Sequence, residues 1–478
     1  MALSSALNNA VSGLSVNARM AQTTSNNLAN VQTSGYARRE VALSSGALGG
    51  VQAHGIVRDM SAGLIADRRA ADADVGREQP GAMALAQLEQ TFGPVGDAGG
   101  IAGRLSALEQ ALISAGGDPA SDVRLRGVVN RLGDVVTAIR SDADALQSQR
   151  QAADRAIAQD VETLNTSLQQ IYELNGDIGR MRNAGQDPSS LIDARQVVVD
   201  KIASITPVRQ IERDDDRIAL YSMNGEALID GTPTEFGFDA TPTIVPAMSF
   251  AGGALQGLTR NGQPIDVNNG FGRLLGGSLE ANFILRDQIL PDIQTNLDNL
   301  AADLVRRFED PGVDPTLAAG DPGLLTDRGG ALDPLDLTGV SLRLEVNPAV
   351  DPDQGGALSN LRDGVNAVVA GPVGDGTQLD RWLAALRSTT SVATGGANQS
   401  AAGHAADFIA DVAERRLYTE ENLTFAQSRQ DRLLTAELAN GVDTDQELQD
   451  LLRIEQAYAA NVRVFQTVDQ MMRALMEI

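Results

Sequence analysis

Side chains able to do acid–base, nucleophilic or metal chemistry are scarce in this chain. Its 478 residues include two histidines and no cysteine. Without cysteine there is no thiolate nucleophile, no disulfide and no thiolate-held metal or cluster. Cysteine usage therefore says nothing about the compartment. His54 and His404 lie far apart, and neither has a second histidine one helical turn away, which excludes a zincin-type helix. No Gly-x-Ser-x-Gly elbow accompanies them, so a hydrolase triad has no support. Each reads as a surface or packing histidine. Lys201, the only lysine, follows Asp200 and not glycine, so there is no P-loop. Gly270-Phe271-Gly272 and Gly374-Asp375-Gly376 lack the third glycine of a dinucleotide fingerprint and read as turns. Asp214-Asp215-Asp216 lacks the alternation of a calcium loop and reads as a solvated turn before a strand. Paired carboxylates carry no signal in so acidic a chain. The expectation is no catalytic residue, no cofactor and no metal.

Charge narrows the partners. Thirty-eight basic residues face 63 acidic ones, a net charge of −25. Nucleic-acid backbones and anionic lipid surfaces repel such a chain. No apolar run reaches the roughly 18 residues of a membrane span. The first twenty residues lack a basic start, and Asn8, Asn9, Ser12 and Ser15 interrupt them, so no conventional signal peptide is expected. Aromatics are only 3%. A core of Ala, Leu, Val and Ile suits long, closely packed helices.

The elements follow from periodicity. Leu3, Leu7, Ala10, Leu14, Asn17, Ala21, Thr24, Leu28 and Val31 alternate steps of four and three, the spacing of a coiled-coil seam. Gly35 ends that helix, and residues 36–60 look extended. At the other end Leu451, Ile454, Tyr458, Asn461, Phe465, Val468, Met472 and Leu475 form a matching stripe, with Asp443 or Thr444 as N-cap. Pairing the two terminal helices is the simplest way to bury both stripes. Between them the same spacing runs from Leu125 to Ile178 without proline. That predicts one helix over 121–182, roughly 90 Å long. Asp187-Pro188 opens another helix, which stops at Pro207. Asn224-Gly225 between two apolar runs predicts a β-hairpin. The 208–272 segment reads as a small β unit, dispensable for folding of the helices. Pro291 kinks or restarts a helix, Leu342-Arg343-Leu344 reads as a short strand, and Trp382 reads as a core anchor.

The fold class is thus mainly α with inserted β, in an elongated multidomain rod. Residues 1–62 with 439–478 form a terminal coiled-coil assembly domain. Residues 63–207, 277–310 and 377–438 form a helical bundle. Residues 208–276 form a β-rich outer domain, and 311–376 an irregular Gly/Pro-rich segment with short strands.

Ser25-Asn26-Asn27-Leu28-Ala29-Asn30-Val31, with Thr33, Ser34, Gly35 and Tyr36, resembles the N-terminal signature of bacterial flagellar rod, hook and hook-associated proteins. Gly441-Val442-Asp443, Gln456-Ala457-Tyr458-Ala459-Ala460-Asn461 and Thr467-Val468-Asp469 resemble their C-terminal signature. The helical block at 104–206, Phe283-Ile284-Leu285-Arg286-Asp287 and Val346-Asn347-Pro348 resemble the hook-associated protein 1 (FlgK) family, while 208–272 and 311–376 match it poorly. The resemblance implies a structural subunit at the hook–filament junction, exported unfolded through the flagellar type III channel without a cleaved signal. It implies self-assembly into a ring or tube, contact with hook protein and an FlgL-like second junction protein, and a FlgN-like export chaperone. Leu3, Leu7, Leu14, Leu28, Leu451, Ile454, Tyr458, Phe465, Val468, Met472 and Leu475 would form the assembly interface. A hook or distal-rod protein, or a cell-wall hydrolase on an axial scaffold, are the alternatives.

Overall fold

The computed structural model describes residues 2–33, 35–46, 49–265, 269–392 and 397–476. Ser34 of the N-terminal signature lies outside them, as do Met1, Glu477 and Ile478. Helix α1 (Ala2–Ala29) leads into an antiparallel hairpin of β1 (Arg38–Ser45) and β2 (Val51–Asp59). Four helices follow: α2 (Ala62–Phe92), α3 (Ile101–Gly116), α4 (Asp122–Asn183) and α5 (Ser189–Ile205).

The predicted long helix is α4, 62 residues and about 93 Å from end to end. Asp122 in its first turn and Arg180 and Arg182 in its last match the helix dipole. The N-cap of α5 is Pro188 and not Asp187, although Asp187 Oδ1 accepts from the Ser189 N–H at 3.0 Å. The first helical residue is Ser189, with Pro188 just outside, a shift within the fraying of helix ends.

A four-stranded antiparallel sheet follows, β3 (Val208–Glu212), β4 (Ile218–Ser222), β5 (Ala227–Asp230) and β6 (Thr232–Pro233), in sequential order. Asn224-Gly225 turns the predicted hairpin between β4 and β5. Three two-residue strands form a second sheet: β7 (Phe236–Gly237), β8 (Thr259–Arg260) and β9 (Gln263–Pro264). Helix α6 (Gly277–Ile284) then passes through a π-helical turn at Leu285–Ile289 into α7 (Leu290–Glu309). Pro291 follows the π turn directly, so the proline expected to kink or restart the helix stands where the regular hydrogen-bond ladder is already interrupted.

Residues 311–376 are irregular, as expected, but they are not loose. They carry β10 (Leu325–Asp327), α8 (Val340–Arg343), β11 (Leu344–Val346) and α9 (Ser359–Asp363). The short strand therefore begins at Leu344, after a helical turn, and not at Leu342. The Asp298 carboxylate on α7 fixes that turn, accepting from the Gly339 N–H at 2.8 Å and the Ser341 N–H at 3.0 Å. The chain ends in α10 (Thr377–Arg387), α11 (Ala401–Ala439) and α12 (Thr444–Met476).

Two apolar cores lie along α4. The first joins its N-terminal half to α2, α3, α7, α10, α11 and the short elements of 311–376. Trp382 is its anchor: it is fully buried, stacks edge-on to Phe308 at 5.6 Å and donates from Nε1 to the Leu361 carbonyl at 3.0 Å. The second core sets Ile157, Val161, Leu164, Leu168 and Ile171 of α4 against Ile218, Leu220, Leu228, Ile229 and Phe236 of the β unit. This overturns the expectation that 208–272 is dispensable. The strands form one face of a core whose other face is α4, and neither buries its apolar side alone.

A buried charge cluster stands between the cores. Arg286, on the π turn, bonds Asp154 of α4 at 2.6 Å, and both side chains are sealed from solvent. Arg150 donates to the carbonyls of Arg286 at 3.1 Å and Met248 at 2.8 Å. The Asp154 carboxylate also accepts from the Thr241 N–H at 2.6 Å. Burial pushes the Arg150 guanidinium below its usual range. Position 150 is the slot that the four-three stripe requires between Leu146 and Ala153. The charged residue occupying it was the available signal for this cluster.

Asp142 is also buried on α4, next to the stripe residue Ala143. Burial pushes its carboxyl up to about 7, and Arg104 offsets only part of that. An unfolded carboxyl titrates near 3.9, so the folded state holds this proton longer. Stability tied to Asp142 is therefore complete below about pH 4 and is lost as pH rises towards 7, by at most about 4 kcal/mol. Asp142→Asn should raise the melting temperature by a few degrees at pH 8 and change it little at pH 4. Thermal scans at both values check this. Equal shifts at the two values would count against it.

Candidate assembly face

Helices α1 and α12 pair along their length. Asn27 meets Glu447, and Gly13 meets Asn461. The steps from 27 to 13 and from 447 to 461 are equal and opposite, so the helices are antiparallel and in register. A Cβ on Gly13 would stand 2.6 Å from Asn461 Nδ2, so the Asn461 amide would have to move aside. Gly13 therefore allows a narrow, close contact.

That closeness divides the C-terminal stripe into two rows spaced by seven. Ile454, Asn461 and Val468 lie against α1, with Ile454 and Val468 buried. Leu475 continues this row, but the antiparallel register carries it past the start of α1, and it is 61% exposed. The second row, from half-buried Leu451, runs through Tyr458 (44% exposed), Phe465 (37%) and Met472 (36%). On α1, Ala10, Gly13, Val16, Thr23, Thr24 and Asn27 are buried, whereas Leu3, Leu7, Leu14 and Leu28 are only half-buried. Mutual burial of both stripes is thus corrected. Small and polar residues occupy the α1 side of the contact, and two helices cover only one seam. The larger side chains flank it.

A polar latch locks the pair to the hairpin. Asn27 makes four hydrogen bonds, although it is almost wholly buried. Its Nδ2 donates to the Arg39 carbonyl at 2.9 Å and to Glu447 Oε2 at 3.1 Å. Its Oδ1 accepts from the Tyr36 hydroxyl at 2.8 Å and the Arg39 N–H at 3.0 Å. Buried Glu447 also takes the Arg38 guanidinium at 2.7 Å. Asp443 caps α12, accepting from the Asp445 and Gln446 N–H groups. Sequence reasoning missed Glu447, although it lies four residues before Leu451, on the stripe itself.

The signature residues now separate by role. Gly35 has φ +78° and sits against α5, where a Cβ would fall 2.6 Å from Val197 Cγ2. Asn30 closes the end of α1 through the Asn26 carbonyl at 2.9 Å and takes the Thr33 hydroxyl at 3.2 Å. Burial pushes the Tyr36 phenol up. Asn26 and Ala29 are exposed, and nothing in the fold explains their side chains. The hairpin is then tied to the body. Arg39 bonds Asp193 of α5 at 2.7 Å, and Arg58 Nε reaches the same carboxylate at 3.1 Å.

Asn27→Ala removes all four bonds and leaves Glu447 buried with one partner fewer. Each unsatisfied buried group costs about 1–3 kcal/mol. The expected result is faster amide exchange in α1 and the first turns of α12, with α4 unchanged. Uniform exchange rates across the variant and the parent would contradict the latch.

A cleft of about 950 Å³ lies between β2, α2, α5 and β3. Three of its arginines are paired with acids, Arg58 with Asp193, Arg69 with Asp200 and Arg182 with Asp216, while Arg195 donates to Asn175 Oδ1 and the Asp216 carbonyl. It reads as the joint between terminal unit and body. His54 is exposed beside Ser44, and buried His404 is bonded to the Thr390 carbonyl at 2.7 Å. Among the described residues no cluster of metal-ligating side chains occurs, and no helix is long and apolar enough to cross a membrane.

Two family models match the chain. The model for the flagellar hook-associated protein FlgK helical domain covers residues 85–314, and that for the flagellar basal body rod FlgEFG protein C-terminal region covers 439–478. The first takes in just under half of the chain, and the second its last 40 residues. The chain is similar to the flagellar hook-associated proteins over its helical middle. Flagellar hook-associated protein 1 of Bacillus subtilis is 22% identical over 94% of this chain and 93% of its own length. Its Escherichia coli counterpart is 25% identical over 64% of this chain and 56% of its own, and that of Salmonella typhimurium 27% over 48% and 43%. The chain thus spans nearly all of the Bacillus relative and about half of the enteric ones. A flagellar hook junction protein FlgK from Burkholderia pseudomallei aligns in structure with a TM-score of 0.44 at 16% identity, over 55% of this chain and 46% of its own. The helical-domain match runs through 208–272, the stretch that carries little resemblance on reading, and that stretch shares its core with α4.

Proposed function

We propose that this chain is a structural subunit of the hook–filament junction, joined to its neighbours through the uncovered row of α12. The observation that carries the reading is the terminal pair itself. It is locked in register by Asn27, Glu447 and Gly13, yet leaves Tyr458, Phe465 and Met472 open along one side. A two-helix pair with so small an internal seam gains stability when further helices cover its flanks. The uncovered row and the rest of the pair differ in surface, so contact between copies is heterologous and builds a ring or tube. Hook protein and an FlgL-like second junction protein would cap that ring on its two sides. The unfolded chain would be held by a FlgN-like chaperone and pass the export channel without a cleaved signal.

The matched family models and relatives are flagellar components, which favours a structural role over a hydrolase on the same scaffold. The test is the position of a tagged copy on isolated flagella by electron microscopy. Label at the junction supports the reading. Label along the hook shaft, the rod or the filament overturns it.

A further inference from the structure

We propose that the cleft between β2, α2, α5 and β3 receives an extended peptide segment of a partner protein, with an acidic side chain set against Arg195. Such a site would exist whether or not the terminal pair makes junction contacts. Arg195 of α5 lines the cleft and is only 4% exposed. Its Nη1 donates at 2.7 Å to Asn175 Oδ1 and at 2.7 Å to the Asp216 carbonyl. Among the described residues, its Nε and Nη2 have no partner, yet neither is sealed from solvent, so both are open to the cleft. Burial pushes the guanidinium down to about 10, and Arg58 acts in the same direction. Asp216 and Glu212 oppose this electrostatically, but neither carboxylate bonds it. Arg58, Arg69 and Arg182 each hold a carboxylate, and Arg195 holds none. A nearly buried guanidinium with two free donors suits a carboxylate taken in two-pronged fashion.

The second feature of the cleft is an unpaired strand edge. Met223 donates its N–H to the Pro207 carbonyl at 3.2 Å, and Arg213 its N–H to the Arg217 carbonyl at 2.8 Å. Antiparallel pairs alternate between bonded and non-bonded, so the odd-numbered residues of β3 bond β4. The Ser222 N–H agrees, since it turns away from Val208 to the Glu226 carbonyl at 2.8 Å. The backbone groups of Val208, Gln210 and Glu212 therefore point away from β4, on the side where β3 is the edge of its sheet. All three residues line the cleft, together with Ile56, Ile65 and Ile192. A free edge adds a strand readily, taking its backbone by hydrogen bonds and its side chains by pockets. A chain of net charge −25 repels small anions at range. The carboxylate must therefore arrive on a segment that also gains backbone pairing and apolar contact, which favours a peptide over a free anion.

The test pans a displayed library of random dodecapeptides on the purified full chain. The expected consensus has one fixed Asp or Glu among β-branched residues. A synthetic consensus peptide should lose affinity by roughly tenfold or more when that acid becomes its amide, and again when its backbone is N-methylated at alternate residues. Arg195→Gln should abolish the preference for acid over amide. Val208→Pro, which removes one N–H from the free edge and none from the ladder to β4, should weaken both peptides alike. No enrichment, a consensus without an acid, or equal affinity of acid and amide peptides overturns the proposal. Displacement of the peptide by acetate alone would show an anion site without strand pairing and would also overturn it. The peptide-side changes decide the matter even if Arg195→Gln fails to fold.

Discussion

Phe465→Asp should leave the free protein folded and keep it out of the flagellum. Phe465 is 37% exposed on the open row of α12, and neither core cluster includes a residue of that helix. Placing a carboxylate there in the free protein exposes it to water at little cost. In a tube, the same position would be enclosed by a neighbouring helix. An unpaired charge then has to be desolvated, which costs several kcal/mol and exceeds what one contact supplies. Circular dichroism melts of parent and variant should coincide within a degree. Swimming and filament number should fall to background, with unpolymerised flagellin shed into the medium. Normal filaments in a strain relying on the variant would show that the row makes no junction contact. Ile454→Asp, on the covered row, is the control: it should loosen the terminal pair in the free protein as well.

Arg286→Met should be among the most damaging single changes within the body. Methionine keeps much of the arginine's length and removes its charge and donors. Asp154 would then be a sealed carboxylate with the Thr241 N–H as its remaining close donor, and the Gln256 carbonyl would lose its 3.0 Å partner. Breaking a buried pair from one side costs about 3–5 kcal/mol. Because the cluster ties the π turn, the middle of α4 and the loop at 241–256 together, the loss should appear first in the second core. Denaturant unfolding followed by helix signal measures it. Asp154→Asn combined with Arg286→Met should recover part of the loss, since the stranded charge is gone. A double variant no better than the single one would mean that packing, and not charge, is what Arg286 supplies.

Both experiments turn on residues of different legibility. The terminal helices, the unbroken run of α4, the hairpin at Asn224-Gly225 and the anchor at Trp382 were readable because each is a local or periodic signal. A helix repeats its buried side every three or four residues, and the Asn-Gly turn needs only its own backbone preference. The signature residues were readable as a pattern, but their roles were not. That Asn27 would bond Glu447, 420 positions later, has no local trace.

What the sequence determined by itself was which faces are apolar, where helices start and stop, and the absence of thiol chemistry. It left open how many neighbours each face would receive. Tertiary structure decided that. It narrowed the terminal seam at Gly13, splitting one stripe into a covered and an open row. It set the β strands on α4 as half of a shared core, and it placed Arg150, Asp154 and Arg286 where long-range partners could neutralise them. Periodicity is a property of one helix, whereas burial depends on the distance between two. That distance is fixed by the smallest residues at the contact, which a hydrophobic pattern does not register.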